Sequence, residues 1–357
     1  MNYADIPFWL SLVFVFGGIF ALTWASDWFV DGSAAIARML GISPFVIGMV
    51  IIGFGTSAPE LCVSAMSGVS GHSNLSLGNA YGSCIFNITV ILGIAALIAP
   101  IVCKPSVAFL AGPCLVAITG FSWWLLRDGE CTRGEAFALL GVFAVLLPFY
   151  CWFDQKTKAA PAPEFVNGRR VEPPPDPYAP EPAYGRPSPL AQFGIWAPVG
   201  KVLVGLAVLV GSSHFLVWGA VDLAKYIGVS DLVIGLTIVA AGTSLPELAC
   251  AIASAWRGQH EFVLGNIVGS NIFNTLAVVG IATFIAPLEP VNGHYAVFSP
   301  HVLTRDLPIM ALTSLTITLF GVNWRNPKRP GKVTRLEAVV WILMYFAYGW
   351  LMFLQER

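Results

Sequence analysis

The sequence contains few charged residues. Asp, Glu, Lys and Arg together make up 11% of its 357 residues, whereas a soluble globular protein contains about 25%. Hydrophobic residues account for 56%, and the mean hydropathy is +0.74. This composition excludes an ordinary soluble enzyme. Because one membrane crossing takes about 20 apolar residues, the chain is long enough for roughly ten crossings. The composition predicts a polytopic membrane protein.

Several features typical of other protein classes are missing. Nineteen Lys and Arg residues balance 20 Asp and Glu residues without a basic tract, so nucleic acid is excluded as a partner. The seven cysteines include no CxxC pair, which argues against a disulfide framework and a zinc site. No phosphate loop, dinucleotide fingerprint or HxxH-type motif is present, and no cofactor is expected. The N-terminus has no Lys or Arg before its apolar run, so a cleaved signal peptide is not expected.

Ten long apolar runs are predicted to be transmembrane helices. They lie near residues 8–36, 44–68, 75–99, 106–126, 134–153, 197–226, 231–256, 262–286, 303–322 and 334–354. Residues 154–194 are Pro-rich and charged, and they are predicted to form an extended or disordered linker. The predicted domains are a first five-helix half at 1–153, this linker, and a second five-helix half at 195–357.

The distribution of Lys and Arg predicts the orientation in the membrane, because cytoplasmic loops collect these residues. Fourteen lie in the linker and in the alternate loops on its side, and five lie on the opposite side. The linker is therefore predicted to be cytoplasmic, with both termini outside. The expected location is a bacterial inner (plasma) membrane, where lipid surrounds the chain. No obligatory protein partner is evident.

An internal repeat is the strongest signal in the sequence. Residues 41–100 align without a gap with residues 228–287, and 28 of the 60 positions are identical. Shared hydrophobicity alone does not produce this similarity, so the two segments result from duplication. Because each half contains an odd number of crossings, the second copy enters the membrane from the opposite side. Such inverted repeats are typical of secondary transporters with a site near the bilayer midplane.

Each repeat places one glutamate deep in an apolar run, Glu60 within GTSAPE and Glu247 within GTSLPE. A carboxylate at that depth costs at least ~2.5–3.5 kcal/mol, so it requires a partner or a function. Gly and Pro in the same motif predict a kinked helix with free carbonyl oxygens. Together with the Thr and Ser hydroxyls one turn before each glutamate, these groups form an oxygen cluster that suits a hard cation such as Ca²⁺ or Na⁺.

The next segment of each repeat adds polar residues four positions apart, Ser83 with Asn87 and Ser270 with Asn274. Each pair shares one helix face, which can point at the kinked helix. A lone Ser or Asn in a membrane helix more often bonds to a backbone carbonyl or joins two helices. The recurrence of the whole set in register favours a functional site for the glutamates.

These paired motifs, each followed by GNxxGSxIFN, resemble the alpha-repeats of the calcium/cation antiporter superfamily, in particular its sodium/calcium exchanger branch. The two repeats cover about a third of the chain. The resemblance implies that Glu60 and Glu247 are the principal calcium ligands. It implies further ligands at the positions that match the family's motif, which are Thr56, Ser57, Thr243, Ser244, Ser83, Asn87, Ser270 and Asn274, and the backbone carbonyls near Gly53 and Ala240.

The chain departs from this pattern at Asn274, where well-known sodium/calcium members carry an acid. Both repeats therefore offer an amide, which leaves the coupling stoichiometry open. The proton/calcium branch typically has GNAxE in place of GTSxPE, which favours sodium as the counter-ion and leaves potassium-dependent or proton-driven exchange as alternatives. The linker is too short for the calcium-sensing domains of animal relatives.

The expected function is antiport of Ca²⁺ against Na⁺ by alternating access, with Ca²⁺ and monovalent cations as substrates. Proton-coupled or potassium-coupled exchange is the alternative. A cation channel would need a continuous polar pathway and usually subunit symmetry. An intramembrane hydrolase would need a nucleophile–base pair or a metal-binding His pair, and the sequence has neither.

Overall fold

The computed structural model describes residues 7–69, 73–157, 164–166, 169–171, 194–226, 240–288 and 298–355. Within these ranges the chain is almost entirely helical. The helices are α1 (Phe8–Leu40), α2 (Pro44–Thr56), α3 (Ala58–Val69), α4 (Ser73–Phe86 continued by Asn87–Ile91 and Leu92–Ile98), α5 (Pro105–Leu125), α6 (Arg133–Thr157), α7 (Trp196–Tyr226), α8 (Leu245–Trp256), α9 (His260–Ile285), α10 (Val302–Gly321) and α11 (Arg335–Gln355). The strands are β1 (Ile101–Cys103), β2 (Glu164–Val166), β3 (Arg169–Val171) and β4 (Gly331–Val333).

The helices confirm the predicted all-α polytopic membrane protein. Eight described helices are long and apolar enough to cross a membrane, and α2 with α3 forms a ninth span that bends by 44°. Helix α8 is the described end of the predicted helix at 231–256, whose residues 231–239 lie outside the described ranges. The other helix ends differ from the predicted ones by at most four residues, because hydropathy and flanking charge determine where a membrane helix ends.

The linker is more structured than the sequence predicts. Helix α6 continues to Thr157, and β2 and β3 form an antiparallel pair in which Glu164 lies opposite Val171. A strand is extended backbone, so the two strands do not contradict the predicted extended linker, whereas the helical residues 154–157 of α6 lie within the predicted linker. The residues between the two strands are Asn167 and Gly168, a dipeptide that strongly favours a hairpin. The rest of the linker lies outside the described residues.

Matching contacts join the two halves at both ends of the bundle. Strand β1 pairs with β4, with Ile101 opposite Val333, while an isolated bridge joins Cys131 and Leu288. Position 288 is the repeat equivalent of position 101 at the offset of 187 residues. The two bridges are therefore equivalent contacts in which the halves exchange roles.

Two arginines also make equivalent contacts in which the two halves exchange roles. Arg335 Nε donates to the carbonyl of Leu97 at 2.9 Å, and Arg133 Nε donates to the carbonyl of Phe284 at 3.2 Å. Each arginine thus satisfies a free carbonyl at the end of the other half's central helix. Both lie in a Thr-Arg-x-Glu-Ala sequence, so the duplication extends beyond the aligned 60 residues into α6 and α11.

Helices α4 and α9 lie at the centre of the main core, and α9 is almost completely buried. Helices α1 and α7 pack closely along each other and contribute most of a second, smaller cluster. Glycines permit this packing, since an ideal Cβ on Gly18 would lie 2.8 Å from Leu216 Cβ and one on Gly205 would lie 2.9 Å from the backbone nitrogen of Phe29. The broken helices α2–α3 and α8 lie between this pair and the central helices.

Candidate functional site

Each predicted glutamate lies immediately after a break in its helix. The backbone leaves helical geometry at Ser57 (φ −82°, ψ 8°) and at Ser244 (φ −91°, ψ 10°). Pro59 and Pro246, which have no backbone N–H, follow each break and are tolerated in the first turn of the new helix. Glu60 and Glu247 lie in the first turns of α3 and α8. The helix dipole stabilises a negative charge at this position.

The serines at the breaks bind the glutamates of the opposite half. Ser57 Oγ donates to Glu247 Oε1 at 2.9 Å, and Ser244 Oγ donates to Glu60 Oε1 at 2.9 Å. All four side chains have an exposed fraction of 0%. Hydrogen bonds to an ionised group are stronger than those between neutral groups. The reciprocal pair therefore joins the two repeats through their carboxylates.

Several buried polar atoms of the predicted ligands have no hydrogen-bond partner among the described residues. Nine buried side-chain nitrogen and oxygen atoms of the described residues lack a hydrogen bond, and five of them belong to predicted ligands. These five are Glu60 Oε2, Glu247 Oε2, Asn87 Oδ1, Asn274 Oδ1 and Asn274 Nδ2. Because a buried polar group without a partner is costly, this concentration indicates a binding site for a polar ligand.

Two asparagines brace the helices that carry the glutamates. Asn79 Nδ2 donates to the backbone oxygen of Glu60, and Asn266 Nδ2 donates to that of Glu247, both at 3.1 Å. Their side-chain oxygens lie 3.5 Å from the hydroxyls of Thr243 and Thr56, respectively. Both asparagines lie in the GNxxGSxIFN motif, but neither was among the ligands predicted from the sequence. Their duplication in the GN dipeptide is the signal that identifies them.

The remaining serines also lie at the junction. Ser83 Oγ is 3.4 Å from Ser244 Oγ, and Ser270 Oγ donates to the carbonyl of Gly53 at 3.2 Å. An ideal Cβ on Gly53 would lie 2.7 Å from the backbone nitrogen of Ser270. A glycine at this position therefore allows α2 to approach α9 closely enough for the hydroxyl to reach the carbonyl.

Asn87 and Asn274 lie in π-helical segments, Asn87–Ile91 in α4 and Phe273–Val278 in α9. Wider turns of this kind are common at functional sites. Both asparagines are fully buried, and Asn87 Nδ2 donates to Asn271 Oδ1 at 3.2 Å. Sequence reasoning missed Asn271, although a buried asparagine between Ser270 and Ile272 is visible as a polar residue in an apolar run. No described hydrogen bond joins Asn87 or Asn274 to the carboxylates.

The backbone of Ala240 begins a three-residue helical turn, Ala240–Gly242, just before the second break. The side chain of Ala240 is not described. The structure thus brings Thr56, Ser57, Ser83, Ser244 and Ser270 into one hydrogen-bonded junction with the two glutamates, while Asn87, Asn274 and Ala240 belong to the adjoining turns.

The site contains two carboxyl groups, and no described residue places a cationic side chain beside them. In the described ranges, no Lys, Arg or His lies within 4.0 Å of either glutamate. Among the same residues there is also no group of three or more His, Cys, Asp or Glu side chains that could hold a metal ion. The arrangement therefore offers two carboxylates among hydroxyl, amide and carbonyl oxygens, a set that suits a hard cation and not a thiolate-bound or imidazole-bound metal.

The chain is similar to other membrane proteins over nearly its whole length. The family model described as "Sodium/calcium exchanger protein" matches residues 10–152 and 198–354. The putative antiporter CaxA of Alkalimonas amylolytica is 36% identical over 344 residues, which are 96% of this chain and 99% of that protein. The inner membrane protein YrbG of Escherichia coli is 30% identical over 341 residues, 94% of this chain and 97% of that protein.

The fold is also that of a solved exchanger. A structure of the sodium-calcium exchanger NCX_Mj superposes with a TM-score of 0.73 at 27% identity, covering 96% of this chain and 98% of that one. At this coverage the similarity includes both halves. The chain therefore belongs to the sodium/calcium exchanger protein family and is an integral membrane cation antiporter, a transporter and not an enzyme.

Proposed function

We propose that the chain exchanges Ca²⁺ for Na⁺ by alternating access, with Glu60 and Glu247 as the principal Ca²⁺ ligands. The observation that carries this proposal is the pair of buried carboxylates, one from each half, each with one oxygen that no described residue binds. Two ionised glutamates supply a charge of −2, which one Ca²⁺ balances. In a low-dielectric site this Coulomb energy is large.

The surrounding neutral oxygens allow the same site to hold monovalent ions. Hydroxyls, amide oxygens and backbone carbonyls are ligands that hard cations accept. The oxygen atoms that bind Ca²⁺ are the ones that a Na⁺ ion would use, so the two ions exclude each other. This mutual exclusion couples their fluxes, since the site carries one kind of ion in each direction.

The cross-bonding between halves supports alternating access and not a permanent pore. Each glutamate is held by a serine of the other half, so the site is complete only where the two halves meet. A movement of one half relative to the other exposes the site to one side of the membrane. We place the chain in a bacterial inner membrane, with the linker in the cytoplasm.

The test is flux into proteoliposomes that contain the purified protein. Uptake of radioactive Ca²⁺ is measured with an outward gradient of Na⁺, K⁺ or H⁺ in turn. We expect saturable uptake that requires the Na⁺ gradient. Uptake that is driven by a K⁺ or H⁺ gradient and not by a Na⁺ gradient would show that the counter-ion is not sodium. Non-saturable flux without any counter-ion would favour a channel.

A further inference from the structure

The two repeats differ at one pair of buried positions beside the site. Position 84 is a cysteine, whereas its repeat equivalent at position 271 is an asparagine. Both side chains have an exposed fraction of 0%. Each lies one residue after a predicted ligand serine and three residues before a predicted ligand asparagine. This difference changes the hydrogen bonds available to Asn87 and Asn274.

The hydrogen bonds around Asn271 determine which way the amide of Asn87 points. Asn271 Nδ2 donates to the backbone carbonyl of Cys84 at 3.1 Å. Because a carbonyl can only accept, the amide atom of Asn271 that faces it must be the nitrogen. The amide oxygen of Asn271 therefore faces the other way and can accept a hydrogen bond. Asn87 Nδ2 donates to that oxygen at 3.2 Å. The oxygen of Asn87 must then point away from Asn271, and it has no partner among the described residues.

The equivalent arrangement is missing around Asn274. A thiol is a weak donor and acceptor, and Cys84 Sγ lies 3.7 Å from both the carbonyl of Asn271 and the hydroxyl of Thr275. Neither amide atom of Asn274 has a hydrogen-bond partner within the described ranges. No described protein group therefore selects the orientation of this amide.

We propose that Asn271 is a positioning residue that presents the amide oxygen of Asn87 to the transported cation. The two amide ligands are consequently inequivalent: Asn87 is preorganised, and Asn274 is oriented only by the ion it binds. The inference rests on the proposed cation site. A ligand that is already oriented binds an ion without the entropic cost of ordering it, so Asn271 increases cation affinity through Asn87.

A double-mutant cycle tests this coupling. The variants Asn271→Ala, Asn87→Ala and the double variant are purified, and cation binding is measured as the shift of the thermal unfolding midpoint with cation concentration. We expect Asn271→Ala to weaken binding about fivefold, which corresponds to one hydrogen bond. The double variant should bind no more weakly than Asn87→Ala alone, because Asn271 acts through Asn87.

The pseudo-symmetry supplies a matched control. The pair Asn271→Ala and Asn274→Ala should give additive losses, since no described hydrogen bond joins the Asn271 side chain to the amide of Asn274. If the losses of cation affinity were additive for Asn271→Ala with Asn87→Ala as well, the proposal would be overturned. A purely structural role of Asn271 would lower cation affinity by the same factor whichever asparagine ligand is replaced. If Asn271→Ala does not fold, Asn271→Cys introduces the residue found at the equivalent position and removes the same strong acceptor.

A reverse substitution tests the asymmetry directly. Cys84→Asn places an amide where it can bind the carbonyl of Asn271 and accept from Asn274, and it should strengthen cation binding. Unchanged binding would contradict the proposed inequivalence of the amides of Asn87 and Asn274. Flux of the wild-type protein with a Na⁺ gradient decides the proposed function separately. The cycle is measured with whichever of Ca²⁺, Na⁺ or K⁺ raises the unfolding midpoint of the wild-type protein, so a different counter-ion leaves its result intact.

Discussion

At the scale of single residues, two glutamates are buried with no cationic side chain beside them among the described residues, and this requires an explanation. A buried charge is costly unless it is paired or well hydrogen-bonded. Ser57 and Ser244 each supply one hydrogen bond to a glutamate oxygen, and the start of a helix supplies a favourable dipole. The second oxygen of each glutamate remains without a described partner. In the function proposed above, these two oxygens are ligands of the transported cation.

Glu60→Gln and Glu247→Gln should each reduce Ca²⁺ uptake by more than about 100-fold, because each removes one of two buried charges that a divalent ion needs. The measurement is Na⁺-driven uptake in proteoliposomes at matched protein content. Glu130→Gln is the control, since Glu130 lies in the loop before α6, and it should transport like the wild-type protein. Near-normal uptake by either buried variant would disprove the two-glutamate site.

Asn274→Asp should strengthen Ca²⁺ binding and change the counter-ion dependence of uptake. A third carboxylate raises the charge of the site from −2 to −3 when all three are ionised, so an additional Na⁺ can be accommodated. The reversal potential of exchange reports the number of ions moved per Ca²⁺. The same reversal potential and ion preference in both proteins would show that this position does not determine the coupling.

At the scale of helices, glycines allow the first broken helix to cross the central helix of the other half. An ideal Cβ on Gly269 would lie 2.6 Å from the Cα atom of Met49, and one on Gly53 would lie 2.7 Å from the backbone nitrogen of Ser270 in α9. The π-helical segments widen α2, α4 and α9 near this crossing. These local departures from an α-helix direct the side chains of two repeats toward one point.

Gly269→Ala should destabilise the protein by about 1–3 kcal/mol, since a methyl group would force α2 away from α9. Gly120→Ala in α5 is the matched control, because no described atom lies within 4 Å of its ideal Cβ and alanine favours a helix. The midpoint of thermal unfolding in detergent distinguishes the two variants. Equal midpoints would contradict this prediction and would mean that α2 and α9 can move apart without loss of stability.

At the scale of the whole molecule, the two halves are joined by equivalent contacts in which each half plays both roles. Strand β1 and β4 close one end, and the bridge between Cys131 and Leu288 closes the other. Inverted repeats place equivalent elements on opposite faces of the membrane. The orientation relative to the cytoplasm is a prediction from Lys and Arg alone.

Cysteine labelling tests that orientation in a background without the native cysteines. A cysteine at Asn326, in the exposed loop before β4, should react only from the cytoplasmic side, and one at Asp128 only from outside. The same contrast is expected between Asn167 in the linker and Gly71, two positions outside the described residues. Labelling of Asn326 and Asp128 from one face would contradict the inverted arrangement, and exchange of the two faces would reverse the predicted orientation.

Much of the fold could be predicted from the sequence. Hydropathy and loop charge depend on neighbouring residues, so they identified the transmembrane helices. The repeat has a constant offset, so the sequence also showed the duplication and, within it, the two unusual glutamates. The linker hairpin was missed because Pro content and charge outweighed the short strand sequences around Asn167-Gly168. The extension of the repeat into α6 and α11 was missed because an insertion changes the offset there.

The tertiary structure alone decided which groups meet. Ser57 and Glu247 are separated by 190 residues and Ser244 and Glu60 by 184, and no local pattern determines that each serine binds the glutamate of the other half. The bracing by Asn79 and Asn266 and the orientation of Asn87 by Asn271 likewise depend on how helices from two halves pack. The sequence by itself determined the membrane class, the duplication and the presence of one carboxylate deep in an apolar run of each repeat, because hydropathy and a constant repeat offset can be read from the sequence. The pairing of donors with acceptors is a property of interhelical distance and angle, which exist only in the folded molecule.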